Sequence, residues 1–356
     1  MTRILTACLS AAALLALSAL PQPALAAGER DDFKVCWSIY VGWIPWEYGN
    51  AQGIVDKWAD KYDISIDVVQ INDYIESINQ YTAGQYDGCT MTNMDALTIP
   101  AAGGVDTTAL IVGDFSDGND GIVLKDKSEL ADIEGQDVNL VELSVSHYLL
   151  ARALETVGMS ERDVDVVNTS DADLVAAYQT DDVTSVATWN PLLSAITEQP
   201  GANLVFDSSQ IPGEIIDLMV VNTDTLEANP KLGKALAGAW YEIMAHLADE
   251  GATGKQARAA MGEIAGTDRA GFEAQLDATR MFYDAADAVD FVKSPDVKTT
   301  MQRVAEFSFD HGLLGEGAPD AGFVGVETPS GVFGSESNVK LRFDPTYMKM
   351  AADGEL

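Results

Sequence analysis

The stretch "FKVCWSIYVGWIPWEYG", residues 33–49, decides the fold. Its first part, "FKVCWSIYV" (33–41), is apolar and β-prone and reads as a buried strand. Its second part, Tyr40 to Gly49, holds two tryptophans and two tyrosines in ten residues, with one carboxylate and neither Lys nor Arg. A helix is expected next, because Ile54, Val55 and Trp58 are spaced for one buried face.

Working outward, strand and helix alternate. "ISIDVVQI" (64–71) reads as a strand, "YIESINQYTAG" (74–84) as a helix, "YDGCTM" (86–91) as a strand, "MDALTIPAA" (94–102) as a short helix and "TTALIVG" (107–113) as a strand. The pattern then restarts with "GIVLK" (121–125), "DVNLVE" (137–142), the amphipathic "SHYLLARALETVG" (146–158), "VTSVATW" (183–189) and "IIDLMVVN" (215–222). From Asn229 the chain reads as mainly helical, and the Gly- and Pro-rich stretches near 312–334 as surface loops. Such alternation indicates open, parallel α/β sheets. The expected organisation is one lobe from residues 30–117 and 225–356, with a second lobe, 118–224, inserted in it. Ligands of open α/β sheets bind beyond the carboxyl ends of the strands, which selects the aromatic loop and its counterparts.

Residues 1–26 read as a cleaved secretory signal: Arg3, an apolar run "ILTACLSAAALLALSAL", and "PALA" ending at Ala26. Cys8 lies within that run, not at its end, so a lipid anchor is not expected. Export to the periplasm follows. The full chain carries 21 basic and 56 acidic residues. Removing residues 1–26, with one Arg and no acid, leaves 20 against 56, a net charge of −36. That field repels nucleic acid and anionic lipid. Cys36 and Cys89, the cysteines of the exported chain, exclude a disulfide scaffold and a four-cysteine zinc site. They fall in strands expected to be neighbours, where free thiols and a single bridge both fit.

Together these residues resemble a known family. "GWIPWEYG" after the first strand, "TMTNMDAL" after the third, "GDFSDGNDGIVL" at the crossover, and "ELSVSHYLLARALE" and "ATWNPL" beyond it are similar to the solute-binding proteins of nitrate/taurine-type ABC importers. The tail, "FSFDHGLLGEGAPDAGFVGVETPSGVFG" through "NVKLRFDPTYMKMAADGEL", resembles the subgroup associated with urea carboxylase. The resemblance implies a type II periplasmic-binding-protein fold, with two lobes, each a mostly parallel sheet flanked by helices, joined by hinge strands. It also implies a monomer without cofactor or enzymatic activity, closing on urea or guanidinium and docking on a membrane permease.

The residues bear on the ligand independently. Nitrate or sulfonate recognition usually uses an Arg fork, a Lys or a helix N-terminus. Between Val35 and Leu124 the basic residues are Lys57 and Lys61, both on a helix. The post-strand loops offer acids and indoles instead. Tyr40, Trp43, Trp46, Asn93, Asp95, Asp114, Glu142, Trp189 and Asp217 are the candidate ligand-binding residues. A planar cation suits them: its N–H groups fork onto carboxylates while its face stacks on an indole. Urea shares the shape but needs a donor for its carbonyl, such as Asn93, Ser146 or a Trp N–H. Competing readings are an exported amide or guanidino hydrolase using Glu142 or His147, a taurine or nitrate binder, and a sensor domain. "DGNDG" (117–121) lacks the spacing of a calcium loop. His147, His246 and His311 form no metal-binding pair in sequence, so no metal is expected.

Overall fold

The structure is a computed structural model, and residues 28–356 are described. The expected signal segment lies outside them. Two sheets organise the chain. The first contains β1 (Asp32–Trp37), β2 (Ser65–Gln70), β3 (Gly88–Thr92) and β4 (Thr107–Ser116). The second contains β5 (Asp120–Lys125), β6 (Asp137–Leu140), β7 (Asp165–Asn168), β8 (Ser185–Trp189) and β9 (Ala202–Asp207). The chain then returns to the first sheet through β10 (Ile216–Asn222), followed by β11 (Thr279–Met281), β12 (Gly325–Thr328), β13 (Gly331–Phe333) and β14 (Val339–Phe343). The strand orders are β13-β12-β14-β4-β10-β3-β1-β2, with β11 on the end of β4, and β7-β6-β8-β5-β9.

Both sheets are mixed. The β2-β1-β3 and β7-β6-β8 groups are parallel, as βαβ crossovers require. The strands next to the crossings, β10 and β5, run antiparallel to their neighbours because the chain enters them from the opposite half. Strand β10 lies inside the first sheet, so the return falls between Asp207 and Ile216 rather than at 224. Hydrogen bonds tie the two crossings together: Ser116 and Ser208 share one at 2.6 Å, and the Gly118 amide donates to Ser208 Oγ at 2.8 Å.

Two local expectations shift. The first strand ends at Trp37, and the aromatic stretch is largely a helix, Ile44–Ala51, begun by Pro45 within its first turn. A proline there has no amide to waste and a preset φ. The tail expected to be loops forms β12 and β13, a hairpin on the sheet edge beside β14. Cys36 and Cys89 are in register on β1 and β3 with Cα atoms 4.4 Å apart, and they form a disulfide. Among the described residues no helix is long and apolar enough to cross a membrane.

Candidate functional site

Where the carboxyl ends of the two sheets meet, Tyr40, Trp43, Tyr74, Thr92, Asp120, Val145, Trp189, Ile215 and Asp217 enclose a cavity. Most come from a strand's carboxyl end or the element after it, while Asp120, Ile215 and Asp217 come from the starts of the antiparallel β5 and β10. Tyr40 and Trp43 follow β1. Tyr74 opens the helix Tyr74–Thr82, which Asp73 caps by accepting from the Glu76 amide. Val145 opens the helix Val145–Thr156, capped by Ser144. Asp120 pairs directly with Trp189 across β5 and β8.

The aromatic rings form a continuous wall. Tyr40 meets Trp43 edge-on at 4.9 Å, Trp43 meets Tyr74 at 5.5 Å, and Tyr74 meets Trp189 edge-on at 5.6 Å. The volume open to the centre of a water molecule is about 10 Å³, close to the roughly 10–15 Å³ that one water needs. In this arrangement the space is water-sized, so a larger ligand requires the lining to give way. Hydrogen bonds between the halves hold it so. The Trp189 indole donates to the Ile39 carbonyl at 2.9 Å, and the Val41 amide to the Asn190 carbonyl at 3.2 Å. The Tyr74 amide donates to Asp171 at 3.2 Å, and Ser170 Oγ to Asp73 at 2.9 Å.

Carboxylates crowd one side. Asp217 on β10 stands in register with Asp114 on β4. The Tyr40 hydroxyl donates to Asp114 Oδ1 at 2.7 Å, and Ser116 Oγ donates to Asp120 Oδ2 at 2.6 Å. The Asp114 and Asp217 carboxyls hydrogen-bond to each other through a shared proton, and their buried Oδ2 atoms have no donor from outside the pair. Burial pushes Asp114 up to about 7, against hydrogen bonds from Tyr40 and Asp217. Burial, with the charge of Asp114 adding to it, pushes Asp120 up to about 7. Asp217 is raised well above the usual carboxylate range by burial and then by the charges of Asp114 and Asp120. No Lys or Arg lines the cavity.

Of the nine expected residues, Tyr40, Trp43, Trp189 and Asp217 line this cavity, and Asp114 stands behind Tyr40. The remaining four lie elsewhere. Trp46 lies on the helix rather than a loop and stacks on Trp240 at 5.2 Å. It lines a separate small cavity behind Trp43 and Asp217. Asn93 donates to the Glu214 carbonyl and accepts from the Ile216 amide, both at 3.1 Å, so it fastens the returning strand. Asp95 is buried and receives hydroxyl hydrogen bonds from Tyr74 at 2.7 Å and Thr92 at 2.8 Å. Burial raises it to about 6, while Tyr74 and Thr92 hold it down. Glu142 is exposed, because the chain turns outward after β6 and the Glu142 amide binds the Asn168 side chain at 3.1 Å. Tyr74 was absent from the expected set. Its position directly after β2 is the signal that could have found it.

Lys57 and Lys61 are exposed, as their helical positions suggested, and Lys57 pairs with Glu242. Arg152 and Arg303 both pair with Glu214, outside the cavity.

The chain belongs to the NMT1-like family, whose model matches residues 37–265. It is 31% identical over 119 residues to the taurine-binding periplasmic protein of Escherichia coli (strain K12), covering 33% of this chain and 37% of that one. It is 34% identical over 82 residues to a putative aliphatic sulfonates-binding protein of the same strain, covering 23% and 26%. The matched segments thus span about a third of the relatives' length or less. Among solved structures, the alkanesulfonate-binding protein of Xanthomonas axonopodis pv. citri bound to MOPS superposes with a TM-score of 0.66 at 17% identity, over 82% of this chain and 96% of that one. The periplasmic nitrate-binding protein of Synechocystis PCC 6803 gives 0.59 at 13% identity, over 92% and 99%. These likenesses establish the fold, a periplasmic-binding-protein architecture of mixed α/β sheets.

Proposed function

We propose that this chain is the extracytoplasmic solute-binding component of an ABC importer, with lobes built on the two sheets that close on a guanidinium-class cation. The observation that carries the ligand reading is the buried acidic pair Asp114 and Asp217, whose Oδ2 atoms receive no donor from outside the pair. Asp217 and Asp120 line the aromatic cavity, Asp114 stands behind Tyr40, and no Lys or Arg lines it. A buried acceptor without a donor is costly, and a flat cation edged with N–H groups removes that cost. Its face gains about 0.5–2 kcal/mol from each indole it covers.

The named relatives take taurine, sulfonates and nitrate. Those anions would meet raised, crowded carboxyls here and no compensating charge. Urea is the second reading. A carboxyl raised to about 7, such as Asp120 in the cavity lining, is partly protonated and offers a donor to the urea carbonyl. The fold is also shared with a desulfurization enzyme at a TM-score of 0.55 and 15% identity. Glu142 and His147, the bases of a hydrolase reading, both lie outside the cavity lining, however.

The test is a thermal-shift panel of guanidinium, methylguanidine, urea, taurine and nitrate, with ammonia assayed after incubation. A binder raises the melting temperature by mass action. Guanidinium raising it without ammonia release supports the proposal, and stabilisation by taurine or nitrate in its place overturns it.

A further inference from the structure

We propose that His147, Glu161 and His311 form a site for a divalent transition-metal ion that ties the second-sheet half to the C-terminal helix Pro295–Asp310. His147 lies in the first turn of the helix Val145–Thr156, Glu161 opens the short turn before β7, and His311 caps the helix Pro295–Asp310. Their donor atoms all lie within 4.8 Å of one another. Glu161 bridges the pair, one oxygen against His147 Nε2 and the other 2.7 Å from His311 Nε2.

Both Nε2 atoms are aimed at Glu161. His311 Nδ1 is 2.8 Å from the Phe307 carbonyl, which only accepts, so Nδ1 carries the hydrogen. Its Nε2 then faces a Glu161 carboxylate oxygen, a place that a ring proton fills in the metal-free protein and that an ion would take over. A backbone carbonyl on the far nitrogen is the usual orienting partner of a metal-bound imidazole. His147 Nε2 is buried and lacks a hydrogen bond of good geometry. Its Nδ1 accepts from the Leu143 amide at 3.1 Å, and ion binding would give up that bond. Leu143 sits on an exposed turn at φ 61°, where its amide can turn to water.

Two imidazoles and a carboxylate suit zinc, nickel or copper rather than calcium or magnesium. The groove beside the cluster, lined by Glu155, Glu306 and Asp310 and by Arg152 and Arg303, which pair with Glu214, opens Glu161 and His311 to an incoming ion. This site is separate from the aromatic cavity and does not depend on its ligand.

The test is calorimetric titration of Zn²⁺ into the exported chain after chelator treatment, with Ca²⁺ as the comparison. His311→Ala and Glu161→Gln are titrated beside the wild type, and circular dichroism checks their fold. The expected result is one saturable Zn²⁺ site, at least tenfold weaker in both folded variants, with Zn²⁺ raising the melting temperature of the wild type more than Ca²⁺ does. Absence of saturable Zn²⁺ binding, or equal binding in wild type and variants, overturns the proposal. If both variants fail to fold, X-ray absorption of the wild-type complex decides: imidazole in the zinc shell supports the site, and an all-oxygen shell overturns it.

Discussion

Asp114 and Asp217 stand directly opposite each other on β4 and β10, and each keeps one oxygen buried without a donor. Two acceptors placed so closely must share a proton or receive donors from outside. Both options have measurable consequences.

Replacing either acid by its amide removes a charge-assisted acceptor. Such bonds are worth about 1.5–3 kcal/mol, so Asp114→Asn or Asp217→Asn should weaken guanidinium binding roughly 10- to 150-fold by calorimetry. The unliganded variants should melt no lower than the wild type, because an uncompensated acid leaves the interior.

The raised carboxyls also set a pH dependence of stability. A group whose folded pKa exceeds its unfolded value stabilises the fold below the unfolded pKa, and that contribution is lost as pH rises through the folded pKa. Asp114 and Asp120 are each raised to about 7. The unliganded protein should therefore lose stability from about pH 4 to pH 7 or slightly above, as followed by chemical denaturation. Asp114→Asn should flatten part of that fall.

Affinity for guanidinium should run the opposite way. The ligand stays cationic while Asp114 must ionise to receive it. Each proton released contributes up to about tenfold per pH unit below the group's pKa. Calorimetry at pH 5.5 and pH 8 should show tighter guanidinium binding at the higher pH. Urea, which is neutral, should show no such rise.

Trp189 and Trp46 should separate binding from folding. Trp189 lines the cavity and donates across the halves to Ile39. Trp189→Phe keeps a ring but deletes that bond, worth about 0.5–1.5 kcal/mol, so affinity should fall a few-fold to tenfold with little change in melting. Trp46 stacks on Trp240 in the first-sheet core. Trp46→Ala should cost about 3–5 kcal/mol of stability, read by denaturant unfolding.

Gly42 gives a steric test. A Cβ there would lie 2.4 Å from Asp114 Oδ2 and 2.5 Å from Tyr40 Cε1. Gly42→Ala should displace both side chains and abolish binding, while the circular dichroism of the fold is kept.

The layered order of strands and helices was legible because buried strands and amphipathic helices leave periodic patterns. The carboxyl-end rule leads to Tyr40, Trp43 and Trp189, which sit at or just after a strand's carboxyl end, whereas Asp217 reaches the same edge from the amino end of the antiparallel β10. Trp46 was misplaced because aromatic content was read as a loop, whereas Pro45 starts a helix that turns Trp46 inward. Glu142 was misplaced because side-chain direction beyond a strand end depends on the turn, which sequence pattern does not specify. Tyr74 falls in sequence only within the helix expected over 74–84, since its cavity-lining position depends on how Asp171 of the other half receives its amide. The tail strands escaped because β13, "GVF", is too short to carry a period.

The central claim is tested most directly by titrating guanidinium chloride and taurine separately into the purified exported chain at pH 8 by calorimetry. The account predicts one saturable guanidinium site per chain, weakened roughly 10- to 150-fold in Asp217→Asn, and no heat of binding from taurine. Saturable taurine binding with no guanidinium binding would contradict it.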